Sequence, residues 1–379
     1  MPVDGGRRPA LADVNPRTEP PPAALWAWRD NVFDRGVDRR GGRLIIDLSV
    51  ACLQHYESAP FCMYSFRFLS HILCLIAFAL GNHSAYAWNA TGHREVVAVA
   101  WATLDDPTRN QITRLLTSQQ LIPKTQNQRG DVAWMTAALW PDTLRDQADS
   151  SQATRSPPLT RQQWLAHASS GEATRYWHFA DRNIAQPFKQ QSPYGLLEEA
   201  LTAQLGLLGD ASLPLHDRAI ALVWVSHLVA DAHQPLHCAS RSITGHPGDL
   251  DAGGNLVTVL DAGRKPPEPI SLHRWWDELP GHARPESRRF NHDLAALLHQ
   301  SMKFSDHDLG KPPRVWIEES FAIARDQVYP GLLPDPDAPD TFLVHQDYWL
   351  MGRDITQARL ALAGRRLAYV VTQALKDLP

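Results

Sequence analysis

The sequence predicts an all-α protein: a single, mostly helical domain with long loops and one short hairpin. Three observations lead there. Apolar residues recur at helical spacing over 94–101, 220–226 and 357–368. His227 and Asp231 stand four apart at the end of one such run, so both lie on the helix face that Ile220 and Val223 bury. His273 and Asp277 repeat that spacing in a second segment, and no internal repeat of fixed period appears.

In chain order, residues 94–101 read as a helix that breaks at Asp105, Asp106 and Pro107, and a second helix runs through Leu116. Residues 131–139 predict another, ending in Trp140-Pro141-Asp142. The Ser/Gln/Arg-rich stretch 146–172 predicts a long surface loop, and a Pro/Gln-rich loop extends to Pro193. Helices follow at 195–208 and 215–233. Pro235 disfavours helix at the residue before it, so His237 enters from a turn. The Gly-rich stretch 245–259 carries the hairpin, and 261–269 is Pro-rich. Later helices are expected at 286–303, 312–328 and 346–376.

The chain has 379 residues, 44% of them hydrophobic, a net charge of −4 and a pI near 6.5. That is ample apolar material for a core. Residues 1–62 lack sustained periodicity and are rich in Pro and Arg, and so predict a disordered or mis-assigned upstream extension. Residues 63–87 predict a secretory signal. Met63 to Arg67 is its positive start, 69–80 its apolar core, and Ala85-Tyr86-Ala87 its cleavage pattern. The apolar core is too short to span a bilayer. The mature domain is then 88–379, exported to the periplasm or secreted, monomeric and without stable membrane association. Removing 1–87 takes away nine arginines and eight acidic residues, so the remainder is slightly more acidic than the whole. Nothing suggests a broad basic surface, so tight electrostatic binding to duplex nucleic acid is not expected. Three of the four cysteines lie in the discarded part, which leaves Cys238 without an internal disulfide partner. Bound metal would supply the cross-linking that disulfides often give exported proteins.

Metal is also what the histidines imply. A carboxylate buried on an apolar helix face is costly unless paired or metal-bound. By context the candidate ligands are His93, Asp142, His178, His227, Asp231, His237, His273 and Asp277. Five imidazoles and three carboxylates exceed what one zinc uses. A multi-metal site for phosphate-ester hydrolysis fits that ratio.

The segments Trp88…Gly92-His93, Trp140-Pro-Asp142-x-x-Arg145, Trp177-His178-Phe179-x-Asp181, His227-x3-Asp231-x-His-Gln-Pro-Leu-His237, Asp251-x-Gly-Gly-Asn255 and Leu272-His273-x3-Asp277 resemble the tri-zinc, single-strand-specific nucleases and 3′-nucleotidases. That family belongs to the zinc-dependent phospholipase C superfamily. The resemblance runs from Trp88 to about Ala368, with every segment in family order. It implies three zincs and hydrolysis of single-stranded DNA or RNA and of 3′-nucleotides, leaving a 5′-phosphate. Asp142, His178, His227 and Asp231 would hold the first zinc, and His237, His273 and Asp277 the second. The α-amine and carbonyl of Trp88, with His93 and a bridging oxygen of Asp231, would hold the third. A hydroxide shared by the first two zincs would attack phosphorus, and Arg145 would brace the phosphoryl oxygens. Phe179 would stack on the base and Asp181 would hydrogen-bond it.

Blander roles stand beside these. Asp142 could be a helix N-cap, Arg145 a structural ion-pair former, and Phe179 simple core. Asp251 and Asn255 are expected to shape their loop, and His233 to hydrogen-bond groups around the ligands. The gap from Arg145 to His178 is long for the family, which puts nucleotide preference in question. The lack of disulfides points to a bacterial-type member. The rival activities are a phospholipase C, whose last ligand is usually glutamate where this chain has Asp277, and a non-catalytic zinc protein.

Overall fold

Everything in the fold is arranged around one buried helix, Leu215–Asp231, whose residues from Arg218 to Asp231 are all buried. The computed structural model describes residues 88–117, 128–148, 156–158, 160–243, 246–261, 263, 268–336 and 338–376. These belong to one compact unit. The expected extension over 1–62 and export signal over 63–87 lie outside the described residues.

In chain order the helices are α1 (Ala90–Thr103), α2 (Asp106–Thr117), α3 (Gly130–Ala137), α4 (Trp140–Gln147), α5 (Arg161–Ser170), α6 (Leu197–Leu208), α7 (Leu215–Asp231), α8 (Leu272–Asp277), α9 (Arg288–Ser301), α10 (Asp306–Leu309), α11 (Pro313–Ile323) and α12 (Gln346–Leu375). A π-type turn, Ala324–Val328, continues α11. The mostly helical class predicted from periodicity is what the chain adopts. α12 packs along α1 and also against α7. Its approach to α1 is close because residue 364 is glycine. A Cβ there would come within 2.5 Å of Val99 Cβ and 2.9 Å of the Val96 carbonyl.

The loop expected over 146–172 is in part helical. α4 extends to Gln147, and α5 begins behind a capping box in which Thr160 Oγ1 accepts from Gln163 N and the Gln163 side chain accepts from Thr160 N. The Thr-x-x-Gln signal was present in the sequence. Polar composition hid it, because only Trp164, Leu165 and Ala168 of α5 pack inward. Trp224 of α7 pins it there: its Nε1 donates to the Ala168 carbonyl at 2.9 Å, and Trp177 stands between Trp164 and Trp224.

Strand content also exceeds the single hairpin expected. β1 (Ser242–Ile243) pairs with β2 (His246–Leu250). β3 (Thr258–Asp261), β4 (Pro269–Ser271), β5 (Leu333–Asp335) and β6 (Ala338–Val344) form a second sheet in the order β4-β3-β6-β5. The β3–β6 pairing is parallel, Thr258 opposite Thr341, and joins segments some eighty residues apart. No local pattern announces such a pairing. The sheet matters because β4 runs directly into α8, where Ser271 Oγ caps the helix by accepting from Arg274 N.

Behind α7 lies a buried ionic network. Arg366 and Arg359 of α12 both bond to Glu319 of α11, at 2.7–2.9 Å and 3.1 Å. Arg359 also donates to the His233 carbonyl and to Ser320 Oγ, and Ser320 Oγ in turn donates to the Ala232 carbonyl. These bonds hold the carbonyls that follow α7, which would otherwise be orphaned at a helix end. Burial alone would raise the Glu319 carboxyl. The hydrogen bonds and charges of Arg366 and Arg359 outweigh it and lower the pKa to about 2.

Glu319→Ala is therefore expected to destabilise the protein by about 3–5 kcal/mol near neutral pH, because it strands the fully buried Arg366. A depressed carboxyl stabilises above its unfolded value of 4.5, and that contribution is lost as pH falls towards 2. Urea unfolding of parent and variant should show a gap that narrows from neutral pH to about pH 3. A gap that widened in acid would contradict the clamp.

Candidate metal centre

Three groups of ligand-type side chains, all buried except half-buried Asp142, meet around the C-terminal end of α7: His93, Asp142 and His227; His178, His227 and Asp231; and His237, His273 and Asp277. Within each group the donor atoms lie within 4.8 Å of one another. Local structure explains how each arrives. His93 rides on α1, whose start is capped by Asn89 Oδ1, and Asn89 N donates to the Asp277 carbonyl at 3.0 Å. Trp88 is buried at that entrance. Asp142 lies in the first turn of α4 just after Pro141, with Leu139 at the cap position, so it is not the N-cap. His178 ends the 3-10 turn Thr174–His178, and His237 the turn Pro235–His237 that follows α7. His273 and Asp277 share a face of α8.

Backbone carbonyls orient the rings. His227 Nδ1 faces the Ala138 carbonyl at 2.9 Å, His237 Nδ1 the His178 carbonyl at 2.6 Å, and His273 Nδ1 the Gly253 carbonyl at 2.7 Å. Gly253 has a positive φ of 63°, and a Cβ there would strike the Leu236 carbonyl. Each Nδ1 must therefore be the donor, and in the neutral ring each Nε2 carries a lone pair. Yet His237 Nε2 and His273 Nε2 face each other at 3.2 Å. Two lone pairs cannot share a hydrogen bond. A proton on one ring or a metal cation between them resolves the contact, and carbonyl-oriented imidazoles are the usual support for a metal.

The spacings agree. A tetrahedral zinc with bonds of about 2.0–2.1 Å holds its ligand atoms about 3.3 Å apart. His178 Nδ1 lies 3.0 Å from His227 Nε2 and 3.2 Å from Asp231 Oδ2, and His227 Nε2 lies 3.4 Å from Asp231 Oδ2. His227 to Asp142 and His93 to Asp231 are 3.6 Å, and His273 to Asp277 is 3.5 Å. His93 stacks on His227 with centroids 4.0 Å apart. Asp231 Oδ1 and both His93 ring nitrogens accept or donate no hydrogen bond. The residues fit a divalent cation.

Electrostatics run the same way. Burial, aided by neighbouring imidazoles and Arg145, holds His93 and His178 well below the usual histidine range. Burial also lowers His227, against the pull of Asp142. Neutral imidazole is the ligand form. Burial, then Asp142 and Asp277, pushes Asp231 well up, and burial does the same to Asp277. Burial alone would lower Arg145, but Asp142, Asp146 and Asp231 hold it up, with Nη1 3.0 Å from Asp142 Oδ1. Sequence reasoning offered Arg145 as a phosphate contact or an ion-pair former, and its ion pairs to Asp142 and Asp146 are present.

Beyond His178 the chain is extended. Phe179, half-buried, lies nearly parallel to Tyr194, with centroids 6.0 Å apart, and edge-on to Tyr176. Asp181 is buried and accepts from Ser240 Oγ at 2.9 Å, while its Oδ1 has no partner. Ser240 Oγ also accepts from Gly253 N, so this segment and the His273 support share one hydroxyl. Asp251 shapes its loop as expected, accepting from Arg241 N, Gly254 N and Tyr329 OH. His233 turns away from the cluster to Arg366. Ser240 and Gln234 escaped the sequence reading, since a polar residue between ligands carries no signal until its partner is known.

Residues 88–376 match the S1/P1 nuclease family. The chain belongs to that family. Endonuclease 4 of Arabidopsis thaliana is 23% identical over 312 residues, covering 78% of this chain and 92% of that protein. Endonuclease 5 of the same plant is 23% identical over 316 residues, covering 78% and 93%. This S1/P1 nuclease is thus a phosphate-ester hydrolase of a zinc-dependent family, and nucleic acid is the substrate class.

Because burial raises Asp231 and Asp277 in the metal-free protein, zinc must displace their protons to bind. Zinc titrations in buffers of different ionisation enthalpy should reveal proton release, with affinity falling as pH falls. Chelation should lower the melting temperature, and free zinc a hundredfold above Kd should restore about 2.7 kcal/mol. Binding without proton release would remove this account of the cluster.

Proposed function

We propose that the protein is an exported three-zinc endonuclease and 3′-nucleotidase that cleaves single-stranded DNA and RNA to 5′-phosphates. The observation that carries this reading is the pair of facing Nε2 lone pairs within three linked ligand groups, in a chain of nuclease family. Asp142, His178, His227 and Asp231 would hold one zinc, and His237, His273 and Asp277 another. Trp88, through its α-amine and carbonyl, would join His93 and Asp231 on the third. When bound, the zincs supply a water activated near neutral pH and positive charge to offset the negative charge that develops at phosphorus and on the leaving 3′-oxygen.

The chain's own groups do the rest. Arg145, held by Asp142 and Asp146, presents a guanidinium to the phosphoryl oxygens. Phe179 stacks on a base, which requires that base to be unpaired and so selects single strands. Asp181, braced by Ser240, takes a hydrogen bond from the base edge. Export with cleavage before Trp88 frees the α-amine. No helix among the described residues is long and apolar enough to cross a membrane. The processed protein acts as a monomer.

Asp231→Ala should abolish cleavage of single-stranded DNA, since it removes a carboxylate within reach of His93, His178 and His227. Phe179→Ala should mainly weaken substrate binding, by roughly five- to hundred-fold for a stacking worth about 1–3 kcal/mol. Equal, mild losses in both would count against these roles.

An amide nitrogen has its lone pair delocalised into the carbonyl, whereas a free α-amine of pKa about 7.7–8 can ligate. Protein beginning at Trp88 should hold three zincs. The same protein with one extra alanine before Trp88 should hold the third poorly and cleave slowly. Equal zinc content and equal rates would show that the α-amine is not a ligand.

A further inference from the structure

Gln234 is fully buried between two ligand-bearing segments, yet it belongs to neither. Its backbone N donates to the Asp231 carbonyl at 3.0 Å, and its carbonyl accepts from His237 N at 3.1 Å. Its side chain bridges outward. Oε1 accepts from Leu236 N at 2.5 Å, and Nε2 donates to Asp277 Oδ1 at 2.7 Å. The amide orientation is forced, because Leu236 N can only donate and therefore faces the carbonyl oxygen. The N–H end must then meet Asp277.

That contact divides the two oxygens of Asp277. Oδ1 is engaged by an amide of the chain. Oδ2 lies 3.5 Å from His273 Nε2, on the side where His237 Nε2 also faces. We infer that Gln234 is a positioning residue that holds Asp277 as a one-oxygen ligand beside His237 and His273. Two imidazoles and one carboxylate oxygen supply three donors, which leaves a coordination position for water or a substrate phosphoryl oxygen. Were Asp277 free to turn and offer both oxygens, that position would be filled by protein. The inference rests on the zinc reading above and adds a named determinant of how open one of those sites is.

The test uses the processed protein with zinc and Co2+ as probes. Gln234→Glu keeps an acceptor for Leu236 N but replaces the donor facing Asp277 with an oxygen. Gln234→Met keeps the volume and removes both bonds. Both should bind one ion per chain about 10–100-fold more weakly than the parent, the usual loss when such a support is removed. The remaining ions should be unaffected. Visible absorption of the Co2+ forms should report a changed coordination number at that one site. Unfolding temperature in chelator should fall little for Gln234→Glu, which separates ligand positioning from general stability.

If both variants bind every ion as the parent does, with the same Co2+ spectrum, the inference is overturned. It is also overturned if all sites weaken together while the chelated variants melt far below the parent, since Gln234 is then merely structural. A parent that takes up neither zinc nor Co2+ sinks the zinc reading itself, and this inference with it.

Discussion

The structure depends on a single costly act: burying imidazoles and carboxylates together at the end of an apolar helix. His93, His227 and Asp231 are fully buried, and His178, His237, His273 and Asp277 are nearly so. Isolated carboxylates in such a place carry a large desolvation penalty, and metal-free they shift towards the neutral form. The same burial keeps His93, His178 and His227 unprotonated, and Arg145 is the cation that stands beside Asp142. Divalent metal satisfies both halves of the cluster. Metal bound there would couple its uptake to folding.

Rigidity around the cluster comes from two layers of ordinary hydrogen bonding. The carbonyls of Ala138, His178 and Gly253 each take one Nδ1–H and thereby aim an Nε2 at the centre. Farther out, Glu319, Arg359 and Arg366 tie α11 and α12 to the carbonyls of Ala232 and His233, with Ser320 as intermediary. The segment carrying His237 therefore leaves α7 on a fixed path. The ionic network touches no proposed ligand side chain, yet it bears on the turn that connects two ligand groups.

The extended segment after His178 brings the aromatic surface to the metal centre. Tyr176, Phe179 and Tyr194 contact one another, and reciprocal backbone bonds between Asp181 and Tyr194 hold the two halves of that surface together. Gly195 allows it, because a Cβ there would collide with the Phe179 carbonyl. α5 buttresses this region from behind through Trp164 and Trp177. The long gap between Arg145 and His178 thus builds part of the support for the aromatic platform and is not solely a surface loop.

The sequence by itself determined the helical class and the identity of the ligand-type residues. Helical spacing is a short-range property, and His227 with Asp231, or His273 with Asp277, share a face whatever surrounds them. Periodicity also marked α1, α6, α7 and α12 to within a few residues. The capping box of α5 was equally local, but its polar face masked it, since only docking on Trp224 makes that helix worth forming. Tertiary structure alone decided the rest. The parallel pairing of β3 with β6, the meeting of His237 with His273, and the partners of Gln234 and Ser240 all join residues far apart in the chain. A side chain's chemistry is written at its own position. Which lone pair faces which is set by backbone atoms that only the folded chain brings within reach.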